Sequence, residues 1–153
     1  MKSSIDITPA TIDDIPALCE LLAILFAQEA EFQPNRIAQQ SGLAEIISNQ
    51  AMGRIFLARV GSEVVGMISL LFTVSTALGG RVALLEDMVV SPAFRNAGIG
   101  SALLVYATAY ARENGCRRIT LMTDSNNLGA QRFYQSYGFD ISSMISMRLV
   151  FDC

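Results

Sequence analysis

The chain has 153 residues, of which 52% are hydrophobic and 16% charged, and its formal net charge is −3. This length and apolar content fit one folded domain with a sizeable core and exclude an intrinsically disordered chain. The 11 basic residues are scattered and form no stripe, so nucleic acid is not expected as a partner. We therefore predict one domain over residues 1–153.

The residue types that are missing exclude several chemistries. The chain has no histidine, which excludes Ser-His-Asp and Cys-His mechanisms and an HExxH zinc site. Lys2 is the single lysine, so neither a Schiff-base lysine nor a Walker A lysine is expected inside the fold. Cys19, Cys116 and Cys153 are odd in number and widely spaced, which favours reduced thiols, the first two in the core. We expect no metal site.

Two segments bear on whether the protein enters a membrane or is exported. Residues 64–80 carry no charge, but the run is shorter than the roughly 20 residues of a spanning helix and is rich in β-branched residues, so it predicts a buried strand. The opening MKSSIDITPATIDD turns acidic where a signal peptide would become apolar. The expectation is a cytoplasmic protein without membrane association.

The first elements predicted from the residue pattern are two helices. Between residues 11 and 32, apolar residues recur at helical spacing, which predicts an amphipathic helix. Thr11 or Asp13 is expected to cap it, and Pro16, which belongs in a first turn, favours Asp13. A weaker pattern predicts a second helix over residues 36–49.

The middle of the chain predicts an antiparallel meander. Two strands, RIFLARV and EVVGMISLLFTV, flank Gly61 and Ser62, which predict a tight hairpin turn. Gly79 and Gly80 then precede a third long strand, RVALLEDMVV.

The remaining elements alternate between helix and strand. A helix is predicted from Gly98 to Asn114 and closed by Gly115, followed by strand RRITLMT, helix LGAQRFYQSY and strand ISSMISMRLVF. The expected class is α/β, with a mixed, mostly antiparallel sheet flanked by helices. Because the last strand should lie near a sheet edge and edge strands pair with other chains, we expect a homodimer.

The stretch RNAGIGSALL places two glycines, Gly98 and Gly100, at the start of a helix. The first turn of a helix has unpaired N–H groups and the positive end of the helix dipole, and glycines let another group approach the backbone. This pattern predicts a phosphate-binding site at the start of the helix. The alternative is a loop in which the glycines only adopt positive φ. A dinucleotide-binding fingerprint is excluded because Leu103 stands where its third glycine belongs.

Two motifs carry a resemblance to a known family. The sequence RNAGIG, after a strand that ends VVSP, matches the R/Q-x-x-G-x-G/A motif of the GNAT superfamily of N-acetyltransferases. Downstream, NLGAQRFY followed by YGF resembles the N-x-x-A-x-x-F-Y…G-F signature of that family. The opening ITPATIDDIPAL resembles its first strand and helix, so the likeness covers nearly the whole chain.

The resemblance implies acetyl-CoA as cosubstrate, held where strands LLEDMVV and RRITLMT diverge. The pantetheine arm would pair with the backbone of Met88, Val89 and Val90 as an added strand. The pyrophosphate would lie on the amides of Arg95, Asn96, Ala97, Gly98, Ile99, Gly100 and Ser101. Asn127 would hydrogen-bond the cofactor arm and Phe133 would pack near it. A helix cap is the alternative role of Asn127.

The reaction implied is direct attack of a neutral amine on the thioester, which needs a proton acceptor and a proton donor. The resemblance assigns the donor role to Tyr134, for which the alternative is a tyrosine packed on the sheet. Strand alternation puts Glu86 on one face with Met88 and Val90, opposite Asp87. Glu86 is the candidate base or ammonium anchor, and an arginine partner is its alternative role.

The acceptor is predicted only by class. Glu29 and Glu31 lie in a mostly apolar segment that shapes the acceptor site in this family, which favours a small cationic primary amine. A polyamine-like amine, an aminoalkylphosphonate, an amino acid and a protein N-terminus stay open. A different class is also open, namely a non-catalytic module of the same fold that binds acetyl-CoA or serves as a structural subunit.

Overall fold

The computed structural model describes residues 4–28 and 35–152. Glu29 and Glu31, on which the cationic acceptor was predicted, lie outside the described residues. The chain divides into two compact units, residues 1–122 and 123–153. The single domain over residues 1–153 stays a prediction.

The first unit contains a five-stranded sheet in the order β1-β2-β3-β4-β5. Strands β1 to β4 are antiparallel neighbours, and β5 is parallel to β4. This confirms the α/β class and the mixed, mostly antiparallel sheet flanked by helices. The elements are β1 (Ile5–Pro9), α1 (Ile15–Gln28), α2 (Arg36–Ser48), β2 (Gly53–Val60), β3 (Glu63–Ser75), β4 (Gly80–Val90), α3 (Ile99–Glu113), β5 (Ile119–Leu121) and, in the second unit, α4 (Leu128–Gln135).

The two faces of the sheet are covered by different helices. On one face Leu57 and Met67 belong to a buried apolar cluster with Leu18 of α1 and residues of α2. On the other face Phe56 packs edge-on against Tyr106 of α3, with 4.9 Å between ring centroids. Phe56 and Leu57 are neighbours in β2 and therefore point to opposite faces. The apolar run of the central strands is explained because both of their faces are buried.

Glycines end the elements where the sequence predicted. Val60 pairs with Glu63 across the β2–β3 turn, where Gly61 has φ 63°. Helix α3 begins after Gly98 and is closed at Gly115, which has φ 83°. These left-handed conformations favour glycine because it has no Cβ. The predicted hairpin and the predicted bounds of α3 are confirmed to within one residue.

The start of α1 differs from the prediction. A 3₁₀ turn, Ile12–Asp14, precedes the helix, and the Thr11 N–H donates to Asp14 Oδ2 at 2.8 Å. Thr11 is therefore the N-cap of the 3₁₀ turn that leads into α1, and the preference for Asp13 was wrong. The reason is that the extra turn separates the cap from Pro16, which is the second residue of α1.

The predicted last strand is also wrong. Residues 141–152 belong to no helix or strand, and large side chains there, such as Ile145 and Leu149, are 85% and 78% exposed. A β-rich composition forms a strand only where a neighbouring backbone completes the ladder. The homodimer loses the support of that strand and stays a prediction.

Cys19 is buried and Cys116 is half-buried, and both are free thiols, while Cys153 lies outside the described residues. Burial raises the pKa of both described thiols. Among residues 4–28 and 35–152, no helix has the length and apolar character to cross a membrane. Within those same ranges, no group of three or more His, Cys, Asp or Glu side chains could hold a metal ion.

Candidate active site

Strand β4 has two neighbours along only part of its length. It pairs with β5 at Ala83, Leu84 and Leu85, and the ladder ends there. Its pairing with β3 continues to Val90. The final residues of β4 therefore have a strand partner on one edge alone among the described residues, as the predicted divergence of β4 and β5 requires.

The open edge can be assigned to two residues. The Ser91 N–H donates to the Val65 carbonyl of β3 at 2.8 Å, so residues 89 and 91 direct their backbone groups toward β3. Met88 and Val90 consequently direct theirs away from it. Arg95 Nε donates to the Val90 carbonyl at 3.2 Å, which agrees with this direction. Both backbone groups of Met88 and the Val90 N–H lie on the open edge.

A β-bulge lies at Glu86. Leu70 pairs with Leu85 while the adjacent Ser69 pairs with Asp87, so Glu86 is an extra residue without a partner on β3. The Asp87 N–H donates to Oγ of Ser69 at 3.1 Å, and Ser69 is 1% exposed. The buried hydroxyl thus satisfies the backbone donor that the bulge displaces from the regular ladder.

The bulge changes the prediction for Glu86. Simple alternation through this residue is wrong, because the extra residue interrupts the pleat between Leu85 and Asp87. Glu86 is exposed and lies in no ion pair within the described part of the chain, which contradicts the alternative of an arginine partner. Its role as base or anchor stays a prediction.

Beyond the bulge, alternation holds. Val89 belongs to the buried cluster beneath α1 and α2, and Asp87 lines a cavity with Leu22 and Leu43 from the same two helices. Asp87 and Val89 therefore share a face, as predicted. No role was predicted for Asp87, although an acidic residue between apolar residues of a strand is a signal of a functional or paired carboxylate.

The start of α3 presents backbone donors. Asn96 and Gly98 both have left-handed backbones, with φ 63° and 82°. Gly98 provides no side-chain cap, and the first intrahelical bond runs from the Ala102 N–H to the Gly98 carbonyl at 3.0 Å. The amides of residues 99–101 therefore have no partner within the helix.

The alternative interpretation, a glycine that adopts positive φ, holds for Gly98 and not for Gly100, and the phosphate site stays a prediction. Gly98 needs positive φ, and it is exposed with no atom within 4 Å of where a Cβ would be. Gly100 lies in the first turn of α3. Ile99 is 2% exposed, so its side chain anchors the turn in the core. Arg95, Asn96 and Ala97 are exposed, and Ser101 is half-buried.

In the second unit, Asn127 caps α4. Its Oδ1 accepts a hydrogen bond from the Ala130 N–H at 3.1 Å, which confirms the alternative that the sequence left open. The cap uses the oxygen and leaves the Nδ2 donors for another group. Phe133 is half-buried, and its ring centroid lies 5.3 Å from that of Tyr137.

Tyr134 is surrounded by aromatic rings of the second unit. Its ring contacts Phe133 and Phe139, with centroids 5.2 Å and 5.6 Å away. Gly138, with φ 95°, reverses the chain after α4 so that the Phe139 N–H donates to the Tyr134 carbonyl at 3.2 Å. Burial raises the pKa of Tyr134 to about 12. The phenol therefore stays protonated at neutral pH.

Comparison with known proteins identifies the family. The model of the acetyltransferase (GNAT) family matches residues 16–139. An uncharacterized N-acetyltransferase, YhfO, of Bacillus subtilis is 34% identical over 86 residues, which are 56% of this chain and 58% of that protein. The chain thus matches little more than half the length of that relative.

Two further proteins extend the match to most of the chain. The aminoalkylphosphonate N-acetyltransferase of Salmonella typhimurium is 31% identical over 130 residues, 85% of this chain and 81% of that protein. An aminoglycoside N-acetyltransferase solved with CoA is 19% identical, has a TM-score of 0.83 and covers 98% of this chain and 97% of its own, which shows a shared fold. The chain belongs to the GNAT family of N-acetyltransferases.

Proposed function

We propose that the protein transfers the acetyl group of acetyl-CoA to a primary amine of a small cationic metabolite. The observation that carries the proposal is the open edge of β4 at Met88 and Val90, which leads directly to the uncapped start of α3. One molecule that is amide-rich at one end and phosphorylated at the other would satisfy both. Acetyl-CoA has these two parts and supplies an activated thioester.

The open edge is suited to an added strand. Met88 offers an N–H and a carbonyl, and Val90 offers its N–H, while the Val90 carbonyl already accepts from Arg95. Amides of the pantetheine arm would pair with these groups as a strand pairs with a sheet edge. The match is between backbone groups, so it depends on strand geometry more than on side chains.

The start of α3 is suited to the pyrophosphate. The amides of residues 99–101 lack intrahelical partners, and the dipole of this helix is positive at that end. The left-handed Asn96 and Gly98 turn the chain just before it. The Arg95 Nε bond to β4 fixes the loop relative to the strand and keeps a cation at the anion site.

The chemistry needs one proton removed and one supplied. Glu86 would take the proton of the ammonium, directly or through a water molecule, or hold the ammonium in place. Tyr134 would donate to the leaving thiolate, and its raised pKa of about 12 keeps the donor proton in place through the physiological range. Asn127 Nδ2 and the Phe133 ring would contact the cofactor arm.

A cytoplasmic location and a homodimer are also proposed. The free thiols of Cys19 and Cys116 suit a reducing compartment. Light scattering at micromolar concentration tests the dimer, and a monomer would contradict it.

The test is release of CoA thiol from acetyl-CoA across a panel of primary amines. The expected result is amine-dependent release above the rate of thioester hydrolysis, with the acetylated amine identified by mass spectrometry. Tight acetyl-CoA binding without turnover of any amine would replace the proposal with a non-catalytic module. Turnover of peptides alone would indicate that the acceptor is a protein N-terminus and not a small metabolite.

A further inference from the structure

A cavity of about 290 Å³ lies between α1, α2 and the part of β4 that follows the bulge. The residue of β4 in its wall is Asp87, which directly precedes Met88. Backbone groups of Met88 lie on the open edge of β4, so the cavity adjoins the strand segment on which the acetyl-CoA arm is proposed to bind. A concave and mostly apolar cavity is the usual form of a binding site for a small molecule.

The wall of the cavity contains a glycine in the middle of a helix. Gly42 is the seventh of the 13 residues of α2. Glycine inside a helix lowers its stability relative to alanine, because glycine loses more backbone freedom on folding. Gly42 does not have a positive φ, and no atom of the described residues lies within 4 Å of where its Cβ would be. Neither backbone conformation nor close packing therefore requires glycine at this position.

The helical period directs position 42 toward the cavity. Ala38, Gly42 and Ile46 are four residues apart, so they form a row along one face of α2. All three residues line the cavity. Gly42 is exposed, and a side chain there would project from this row into the open space beside it. Glycine at position 42 thus enlarges the cavity.

The part of the cavity around Gly42 is apolar. Leu43 and Leu22 of its wall are 4% and 3% exposed, and Ile46 packs against the same buried cluster. Gln39, the polar wall residue one turn before Leu43, is 7% exposed and offers little polar surface. An apolar group that enters this part of the cavity leaves water and meets apolar side chains, which favours its binding.

We propose that Gly42 sets the size of the acceptor, and that the acceptor is a primary amine with an extended apolar body, such as a longer alkylamine. The body lies beside Gly42 against Leu22, Leu43 and Ile46, and the amine points toward β4. The inference rests on the proposed acetyl transfer for its chemistry. The room that Gly42 leaves for the body explains why α2 has a residue that lowers its stability.

The experiment compares three primary amines: n-hexylamine, ethylamine and 2-(2-aminoethoxy)ethanol, which matches hexylamine in chain length but contains two oxygens. Their kcat/KM values are measured by thiol release, and their binding by calorimetry in the presence of CoA. Binding strengthens with each methylene that leaves water, so the wild type should prefer hexylamine to each other amine by at least about tenfold. An equal or higher kcat/KM for ethylamine or for the ether amine would overturn the inference.

Variants of α2 locate the preference at Gly42. In Gly42→Leu the new side chain occupies the space of the apolar body, so the preference for hexylamine over ethylamine should fall to near one. Ser41→Leu is the matched control, because Ser41 is the exposed neighbour in α2 and does not line the cavity. It should keep the wild-type preference. An unchanged preference in Gly42→Leu, or an equal loss in Ser41→Leu, would overturn the role of Gly42.

Thermal unfolding separates a role in binding from a structural need for glycine. Gly42→Ala should raise Tm by about 2–4 °C, because alanine favours the helix and no described atom opposes its Cβ. The same variant should lower the preference for hexylamine, though less than Gly42→Leu does. A fall in Tm in Gly42→Ala would show that the fold itself requires glycine, and it would overturn the inference.

Two outcomes separate this inference from the proposed acetyl transfer. Selective binding of hexylamine without turnover of any amine would refute acetyl transfer and leave the recognition by the cavity standing. Turnover of all three amines with equal kcat/KM would support acetyl transfer and refute the recognition. Absence of hexylamine binding in the wild type would also refute the recognition.

Discussion

The two parts of β4 differ in how their backbones are used. Residues 83–85 lie between β3 and β5 and pair with both strands. Residues 86–90 begin with a bulge and have a strand partner only in β3. The first part contributes buried side chains, such as Ala83 and Leu85, to the hydrophobic core. In the second part, backbone groups of Met88 and Val90 have no strand partner, and Asp87 lines a cavity. The candidate site therefore lies where the regular strand pairing of β4 ends.

The largest effect is expected where the open part of β4 leads into α3. Gly98→Val places a β-branched residue at φ 82°, which should distort the first turn and lower acetyl-CoA affinity by more than about 10³, because several charge-assisted hydrogen bonds are lost. Calorimetry measures the change.

Gly61→Val is the control for backbone strain. Gly61 also has positive φ, 63°, and open space around it, but it lies in the β2–β3 turn. Both variants should lose roughly 1–3 kcal/mol of stability, and Gly61→Val should still bind acetyl-CoA normally. Equal loss of acetyl-CoA affinity in the two variants would contradict a phosphate-binding site at the start of α3.

A smaller effect is expected at the bulge itself. If Glu86 is the base, Glu86→Gln should lower kcat/KM by about 10² through a lower kcat. If Glu86 only holds the ammonium, KM should rise instead. Glu63→Gln, at the exposed start of β3, serves as control. Wild-type kinetics in Glu86→Gln would show that another group accepts the proton or holds the ammonium.

Tyr134 should affect turnover and leave cofactor binding intact. Tyr134→Phe removes the donor and keeps the ring, so kcat should fall by about tenfold or more at unchanged acetyl-CoA affinity. The donor form is lost only as pH rises through the raised pKa of about 12, so Tyr134 should produce no alkaline limb below pH 10. Stopped-flow rates across pH 6 to 10 test both points, and a wild-type rate in Tyr134→Phe would refute the donor role.

The smallest effect concerns the bond that fixes the bulge. Ser69→Ala removes the hydroxyl that accepts from the half-buried Asp87 N–H and should reduce the free energy of unfolding by about 1–3 kcal/mol. In Ser75→Ala the corresponding bond, from the Leu78 N–H, lies in an exposed turn where water can replace the hydroxyl. That variant should lose less, and urea unfolding that ranks the two variants in the opposite order would contradict the structural role of Ser69.

The sequence predicted the parts that depend on local signals. Glycines at positions 61, 98 and 115 marked the hairpin and both ends of α3, because each adopts a left-handed backbone that other residues rarely take. The motif around Arg95 to Gly100 identified the family that the comparisons confirm.

The bulge and the cavity could not be predicted from the same signals. Alternation assumes a regular ladder, so it gave Glu86 a face that the extra residue removes. Gln39 stands in the run QQS on a helix with weak amphipathic pattern, and nothing in that run distinguishes it from the exposed Gln40. The segment ISSMISMRLVF has the composition of a strand, but a ladder needs a partner that no local pattern specifies.

Amide hydrogen exchange at β4 and the start of α3 tests the central claim most directly. In the free protein, the amides of Met88, Val90 and residues 99–101 should exchange faster than that of Val89, whose backbone faces β3. Saturating acetyl-CoA should slow Met88, Val90 and residues 99–101 by at least about tenfold and leave Val89 unchanged. Unchanged exchange at Met88 and Val90 in the bound protein would show that the cofactor does not pair with the open edge of β4.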